Sequence, residues 1–187
     1  LNENIDDEGS DAKKLSSKIT FNEDIEFRNV DFIYPEAIKH SIKGLSFKII
    51  KGQSVALIGK SGSGKTTIVD LLCGLLKPDS GKILVDGKDI FNNFAEWRKL
   101  ISYVPQDIYL LDDSLRNNIA YGKSPDKIDD DLIRYVTKLS MLDSYIKDLE
   151  LGLETSIGED GVKMSGGERQ RLGIARALYS QPEILIL

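Results

Sequence analysis

The sequence predicts an α/β fold: a core built on a parallel sheet, an antiparallel β subdomain on its N-terminal side and an α-helical subdomain inserted in it. Three observations carry this. Ser54-Val55-Ala56-Leu57-Ile58 is a short apolar run that ends at a glycine-rich loop, and the residues from Thr66 to Leu76 then have helical composition. The final Ile184-Leu185-Ile186-Leu187 is an unbroken apolar run after Gln181-Pro182-Glu183, the pattern of a buried parallel strand. Between Asp129 and Leu142 apolar residues fall at 132, 133, 136, 139 and 142, close to one face of a 3.6-residue helix whose N-terminus three aspartates at 129 to 131 favour.

Taken in order, Leu1 to Thr20 is polar and acid-rich and reads as a linker from an upstream domain, and residues 21–187 read as one domain. The stretches Ile25 to Val30 and Ile42 to Ile50 alternate imperfectly, as antiparallel strands with one covered face do. Lys77-Pro78-Asp79-Ser80-Gly81 breaks the first helix, and Asp86-Gly87 after Lys82 to Val85 suits the positive φ values of a hairpin turn. Ile101 to Val104 reads as a strand leading to Pro105-Gln106, and the composition turns helical from Ser114 to Tyr121. Gly166-Gly167 open a helix running from Glu168 to Tyr179, so the helical subdomain spans about residues 107–180.

At 187 residues with 41% apolar content the chain can bury a substantial core. Its net charge of −5 supplies no global basic field to gather nucleic acid or anionic lipid. The one cysteine, Cys73, excludes an intrachain disulfide framework and sits in an apolar run, where a buried, inert thiol is expected. No apolar run approaches the ~20 residues that span a bilayer. Both ends read as cut: the chain starts at Leu1 rather than Met, and it stops inside an apolar strand.

Gly59-Lys60-Ser61-Gly62-Ser63-Gly64-Lys65-Thr66 matches the phosphate-loop pattern G-x-x-x-x-G-K-[ST] with a strand before it and a helix after it, which makes the core that of a P-loop NTPase. Glycines let the backbone bend around a polyphosphate with its N–H groups inward, and the helix N-terminus adds positive potential. Lys65 reaches the β- and γ-phosphates, the Thr66 hydroxyl ligates Mg²⁺, and Thr67 stands beside it. A second helix N-terminus carries Met164-Ser165-Gly166-Gly167-Glu168-Arg169-Gln170, which reads either as another anion-binding nest or as a helix capped by Ser165.

The order of these two motifs resembles the nucleotide-binding domain of ATP-binding cassette (ABC) transporters of exporter type, from about Ile25 to the end. Met164 and Glu168 stand where the family's Leu-Ser-Gly-Gly-Gln signature has leucine and glutamine. The resemblance implies further roles. Tyr34, in Phe32-Ile33-Tyr34-Pro35, would stack on adenine. Gln106, in Tyr103-Val104-Pro105-Gln106-Asp107, is similar to the glutamine that contacts Mg²⁺ and the attacking water. Thr155-Ser156-Ile157-Gly158-Glu159-Asp160-Gly161 resembles the exporter segment that faces the membrane domain, and Ile184 to Leu187 resembles the Walker B strand.

What the resemblance implies as a whole is an ATPase that works as a pair. Two domains meet head to tail, as a homodimer or half-transporter dimer, with ATP between Gly59 to Thr67 of one and Ser165, Gly166, Gly167, Glu168 and Gln170 of the other. A transmembrane domain fused upstream is driven from the cytoplasmic face. Gln106 and Lys65 are the catalytic candidates present, whereas the family's Mg²⁺-binding Asp and general-base Glu would follow Leu187, so this chain is expected to bind nucleotide without turning it over. The lone histidine, His40, precedes the phosphate loop, cannot be the family's switch histidine, and reads as a surface residue. Two other readings stay open: a soluble ATPase of the same superfamily acting in chromosome maintenance, DNA repair or on ribosomes, and a regulatory cassette that binds ATP without hydrolysis. The transported substrate is not legible.

Overall fold

The computed structural model describes residues 19–158 and 164–187. Most of the expected linker and the triplet Glu159-Asp160-Gly161 lie outside these residues.

Strand β1 (Asp24–Phe32) pairs antiparallel with β2 (Ile42–Ile50) on one side and with β3 (Ser80–Val85) on the other. A short β4 (Lys88–Asp89) closes a four-stranded sheet in the order β2-β1-β3-β4. The imperfect alternation in β1 has a local cause. Ile25 and Phe27 are buried and so are Val30 and Phe32, a change of parity that a register shift between Phe27 and Val30 produces. At that bulge Asn29 has φ 47°, and Gly81 passes so close that a Cβ there would lie 2.2 Å from the Asn29 carbonyl oxygen. The hairpin between β3 and β4 turns at Asp86 and Gly87, with φ 46° and 75°. The Asp86 carboxylate accepts from the N–H groups of Asn22, Glu23 and Asp24 at 2.7, 2.9 and 3.2 Å, which fixes the entry to β1.

Helix α1 (Lys65–Leu72) follows the phosphate loop and packs Leu71 and Leu72 into the first apolar cluster, beside Phe27, Ile83 and Trp97. It is shorter than expected, because Gly74 at φ 69° turns the chain and the Leu75 N–H folds back onto the Asp70 carbonyl. Trp97, fully buried on α2 (Phe94–Leu100), donates its indole N–H to the Leu72 carbonyl at 2.8 Å and so ties α2 to the end of α1. Strand β5 (Ile101–Tyr103) pairs in parallel with β6 (Ile184–Ile186), register Ile101 opposite Ile184.

The expected strand at Ser54 to Ile58 is not formed. These residues are exposed and belong to neither sheet, because no described strand offers them ladder partners. For a related reason β6 is partly open rather than buried: among the described residues β5 is its one sheet neighbour, and Leu185 is 37% exposed.

Helices α3 (Leu115–Ile119), α4 (Asp130–Leu139), α5 (Asp143–Lys147) and α6 (Gly166–Tyr179) enclose a second apolar cluster that includes Leu110, Leu115, Ile119, Ile133, Val136, Leu142 and Leu172. Ser114 and Asp129 cap α3 and α4 through their side-chain oxygens. The expected apolar face of α4 holds at Ile133 and Val136 and fails at Leu139. The chain leaves the helix at Ser140 and passes through Met141 at φ 56°, so Leu142 takes the buried place and Leu139 faces out.

Candidate nucleotide-binding site

The phosphate loop is shaped by its glycines. Gly62 and Gly64 have φ 76° and 89°, the left-handed region in which a side chain is strained. At Gly64 a Cβ would also lie 2.8 Å from Ile42 Cδ1 and 3.0 Å from the Ser41 carbonyl oxygen, and at Gly59 it would lie 2.5 Å from Ser63 Oγ. Ser41 and Ile42 thus back the loop from the start of β2, a support that nothing in their sequence separation signals.

Gly64 stands at the N-cap of α1 and makes no side-chain cap, so the first amides of that helix have no intrahelical acceptor and suit an anion. Lys65 Nζ donates to the carbonyl oxygens of Gly59 and Lys60, both at 2.9 Å. The ammonium is folded over the loop on neutral acceptors, bonds that a phosphate oxygen can replace. A polyphosphate fits this donor set: glycines where a Cβ would crowd the curve, unpaired helix amides and one cation at the mouth.

Two residues expected at the base and metal positions flank the loop. Thr66 is exposed on the first turn of α1. Thr67 is buried, with its Oγ1 3.2 Å from the Tyr34 hydroxyl. The Tyr34 ring stands edge-on to Phe32 at 4.9 Å between centroids, and 38% of the residue is exposed. Among the described residues no cluster of three or more His, Cys, Asp or Glu could hold a metal ion. A cation here would depend on the Thr66 hydroxyl and the phosphates, oxygen donors that suit Mg²⁺.

The second constellation opens α6. Ser165 Oγ accepts from the Glu168 N–H at 3.3 Å while Glu168 Oε2 accepts from the Ser165 N–H at 2.6 Å, a reciprocal capping box. Arg169 reaches back to the Met164 carbonyl at 3.2 Å. Gly166 and Gly167 are exposed with open space where a Cβ would be, and Gln170 is exposed as well. Both readings of the segment are therefore compatible with it: the cap is made, and the nest faces out.

Gln106 is exposed just beyond β5 and, with Asp107 and Ile108, forms one wall of a cleft of about 500 Å³ whose other wall is Gly166, Arg169 and Gln170. The fold brings Gln106 to the start of α6, and Tyr34 to Thr67. Among the described residues no hydrogen bond or ion pair joins the Gly59 to Thr67 group to the Ser165 to Gln170 group. His40 is exposed. Cys73 is half-buried rather than buried, and its desolvation, with Asp70 nearby, pushes the thiol up to about 11.

A family profile described as ABC transporter matches residues 42–187. An ATP-dependent lipid A-core flippase from Cupriavidus metallidurans is 43% identical over 166 residues, 88% of this chain and 28% of its own length. The protein of the same name from Escherichia coli is 39% identical over 181 residues, 96% of this chain and 31% of its own. Among solved structures, that of a bacterial Atm1-family ABC exporter with ATP bound superposes with a TM-score of 0.82 at 38% identity, covering 89% of this chain and 29% of that one. The chain spans under a third of the length of these relatives.

Proposed function

The chain belongs to the ABC transporter family, and from that premise we propose that it is the ATP-binding domain of an exporter or flippase that hydrolyses MgATP to drive transport across a membrane. The observation that carries the reading is the phosphate cradle. The Lys65 ammonium lies across the Gly59 and Lys60 carbonyls at the mouth of a glycine loop backed by Ser41 and Ile42.

In this reading the loop and α1 amides bind the phosphates, Lys65 leaves its two carbonyls for the β- and γ-oxygens, and the half-exposed Tyr34 stacks on the adenine ring. Thr66 and Gln106 would hold Mg²⁺, which neutralises phosphate charge when bound. The outward-facing nest at Ser165 to Gly167 serves the nucleotide of a second copy, which accounts for its lack of contact with the loop of its own chain. Closure of the pair is carried through the helical subdomain, about residues 107–180, to a transmembrane domain, with this domain on the cytoplasmic face. No described helix is long and apolar enough to cross a membrane. The names of the relatives support the exporter reading.

Replacing Lys65 by Ala is expected to weaken MgATP binding ~100-fold, the loss of charge-assisted bonds to phosphate. Titration calorimetry of the 187-residue chain and of the variant measures it. Equal affinities would remove the cradle from the reading.

A further inference from the structure

Thr67 is a buried hydroxyl to which the nucleotide site as described so far gives no task. It lies on the first turn of α1, one residue beyond Thr66, and only 5% of it is exposed. A hydroxyl taken out of water is costly unless it finds a partner, and here the partner is the Tyr34 hydroxyl, 3.2 Å from Thr67 Oγ1. That bond joins two separate elements. Tyr34 stands in the segment that leaves β1, and Thr67 in the helix that follows the phosphate loop.

The backbone around Tyr34 is held without this bond. The Ile33 N–H donates to Asp79 Oδ2 at 2.7 Å and the Ser41 N–H to the Phe32 carbonyl at 2.9 Å. Between them the Ala37 N–H donates to the Tyr34 carbonyl at 3.0 Å, across a turn in which Glu36 has φ 66°. None of these bonds fixes the ring, which turns about its own side-chain torsions. Among the described residues two contacts do: the edge-on packing against buried Phe32, and the hydroxyl bond to Thr67. Edge-to-face packing tolerates sliding and tilt, whereas a hydrogen bond at the far end of the ring fixes where that end points.

The consequence is a fixed span. Lys65, Thr66 and Thr67 are consecutive on one turn of α1, so Thr67 Oγ1 moves as one piece with the amides proposed to receive the phosphates. The hydroxyl bond therefore refers the Tyr34 ring to the cradle and not to the sheet alone. A platform already set at the right distance from the cradle spares a nucleotide the ordering that binding would otherwise have to supply.

Resting on the proposed ATP-binding function, we infer that Thr67 is a positioning residue for the base, whose hydroxyl holds the Tyr34 ring in the orientation that stacks on adenine. The Tyr34 hydroxyl then contributes to affinity without touching the nucleotide. Tyr34→Phe is not silent, although it keeps the stacking ring.

The test uses the intact protein that carries this domain, in detergent with Mg²⁺. It compares a non-hydrolysable ATP analogue with inorganic tripolyphosphate, which can fill the cradle and has no base. Thr67→Val removes one hydroxyl at nearly constant volume, Tyr34→Phe removes the other, and Thr67→Ser keeps the first. Titration calorimetry is expected to find the analogue bound about fivefold more weakly by Thr67→Val and by Tyr34→Phe, and by the double variant no more weakly than by either to within about twofold. Thr67→Ser is expected to recover most of the loss. For tripolyphosphate the loss in each variant is expected to be at most about twofold.

Equal weakening of both ligands by Thr67→Val would make Thr67 a phosphate contact or a support of α1, and overturns the inference. So does Tyr34→Phe binding the analogue as tightly as wild type, or a double variant whose loss is the product of the single losses, since either leaves the two hydroxyls uncoupled. If Thr67→Val does not fold, Tyr34→Phe, at a residue 38% exposed, decides by the same comparison of ligands. Lys65→Ala is the control for the cradle and is expected to weaken both ligands. If it weakens neither, the proposed function and this inference fall together, whereas the outcomes above overturn the inference and leave the cradle standing.

Discussion

At the scale of single residues, Asp86 shows how one side chain can serve several others. Burial alone would raise its pKa, but the N–H groups of Glu23, Asn22 and Asp24 on its oxygens outweigh that and hold the carboxyl below its ordinary value. A carboxyl depressed in the folded state adds stability that is present above its unfolded pKa of ~3.9 and is lost as pH falls through the folded value. Asp86→Ala is expected to cost about 2 kcal/mol near neutral pH, from the charged hydrogen bonds and the positive φ that alanine disfavours. Denaturant titrations at pH 7 and pH 3 should show the gap between wild type and variant narrowing at the lower pH. A gap that stays constant would mean that φ, not charge, is what Asp86 supplies. Tyr34 makes the opposite point, since its aromatic role was suggested by resemblance while its hydroxyl bond to Thr67 had no sequence signal.

Among the elements, α6 combines a cap with a site, and Glu168 is where the two meet. The carboxylate folds back onto the Ser165 N–H and completes the capping box, which places a negative charge beside the nest proposed to face a phosphate. Glu168→Gln keeps an acceptor for the cap and removes that charge. The variant is expected to tighten ATP-dependent pairing of two domains about threefold at low salt, the effect shrinking as salt rises. Sedimentation with a non-hydrolysing second copy measures it. Weaker pairing would instead make Glu168 an attractive contact in the pair.

Across the whole molecule, order is unevenly shared between two apolar clusters and the segment that feeds the phosphate loop. Ile25, Phe27 and Ile83 lie in a three-way ladder with full burial, whereas Ser54 to Ile58 lie outside both sheets and are exposed. Hydrogen exchange on the 187-residue chain is expected to find the amides of Val55 to Ile58 exchanging ~1,000-fold faster than those of β1. Strong protection there would mean that the segment finds a strand partner in solution.

Local chemistry was enough to write much of this molecule from its sequence. Apolar runs, the Asp86-Gly87 turn, the aspartates that open α4, the glycine loop and the Ser165 motif depend on neighbours within a few residues, and each was legible. What the tertiary structure alone decided depends on partners far along the chain. The phosphate-loop segment Ser54 to Ile58 reads as a strand by composition, yet a strand exists only where a ladder partner lies beside it. The bulge at Asn29, the backing of Gly64 by Ser41 and Ile42, and the hold of Arg176 on Tyr109 and Asn118 join positions separated by between 22 and 67 residues. No periodicity encodes such contacts, because they are set by how the two clusters pack and not by the order of residues within either.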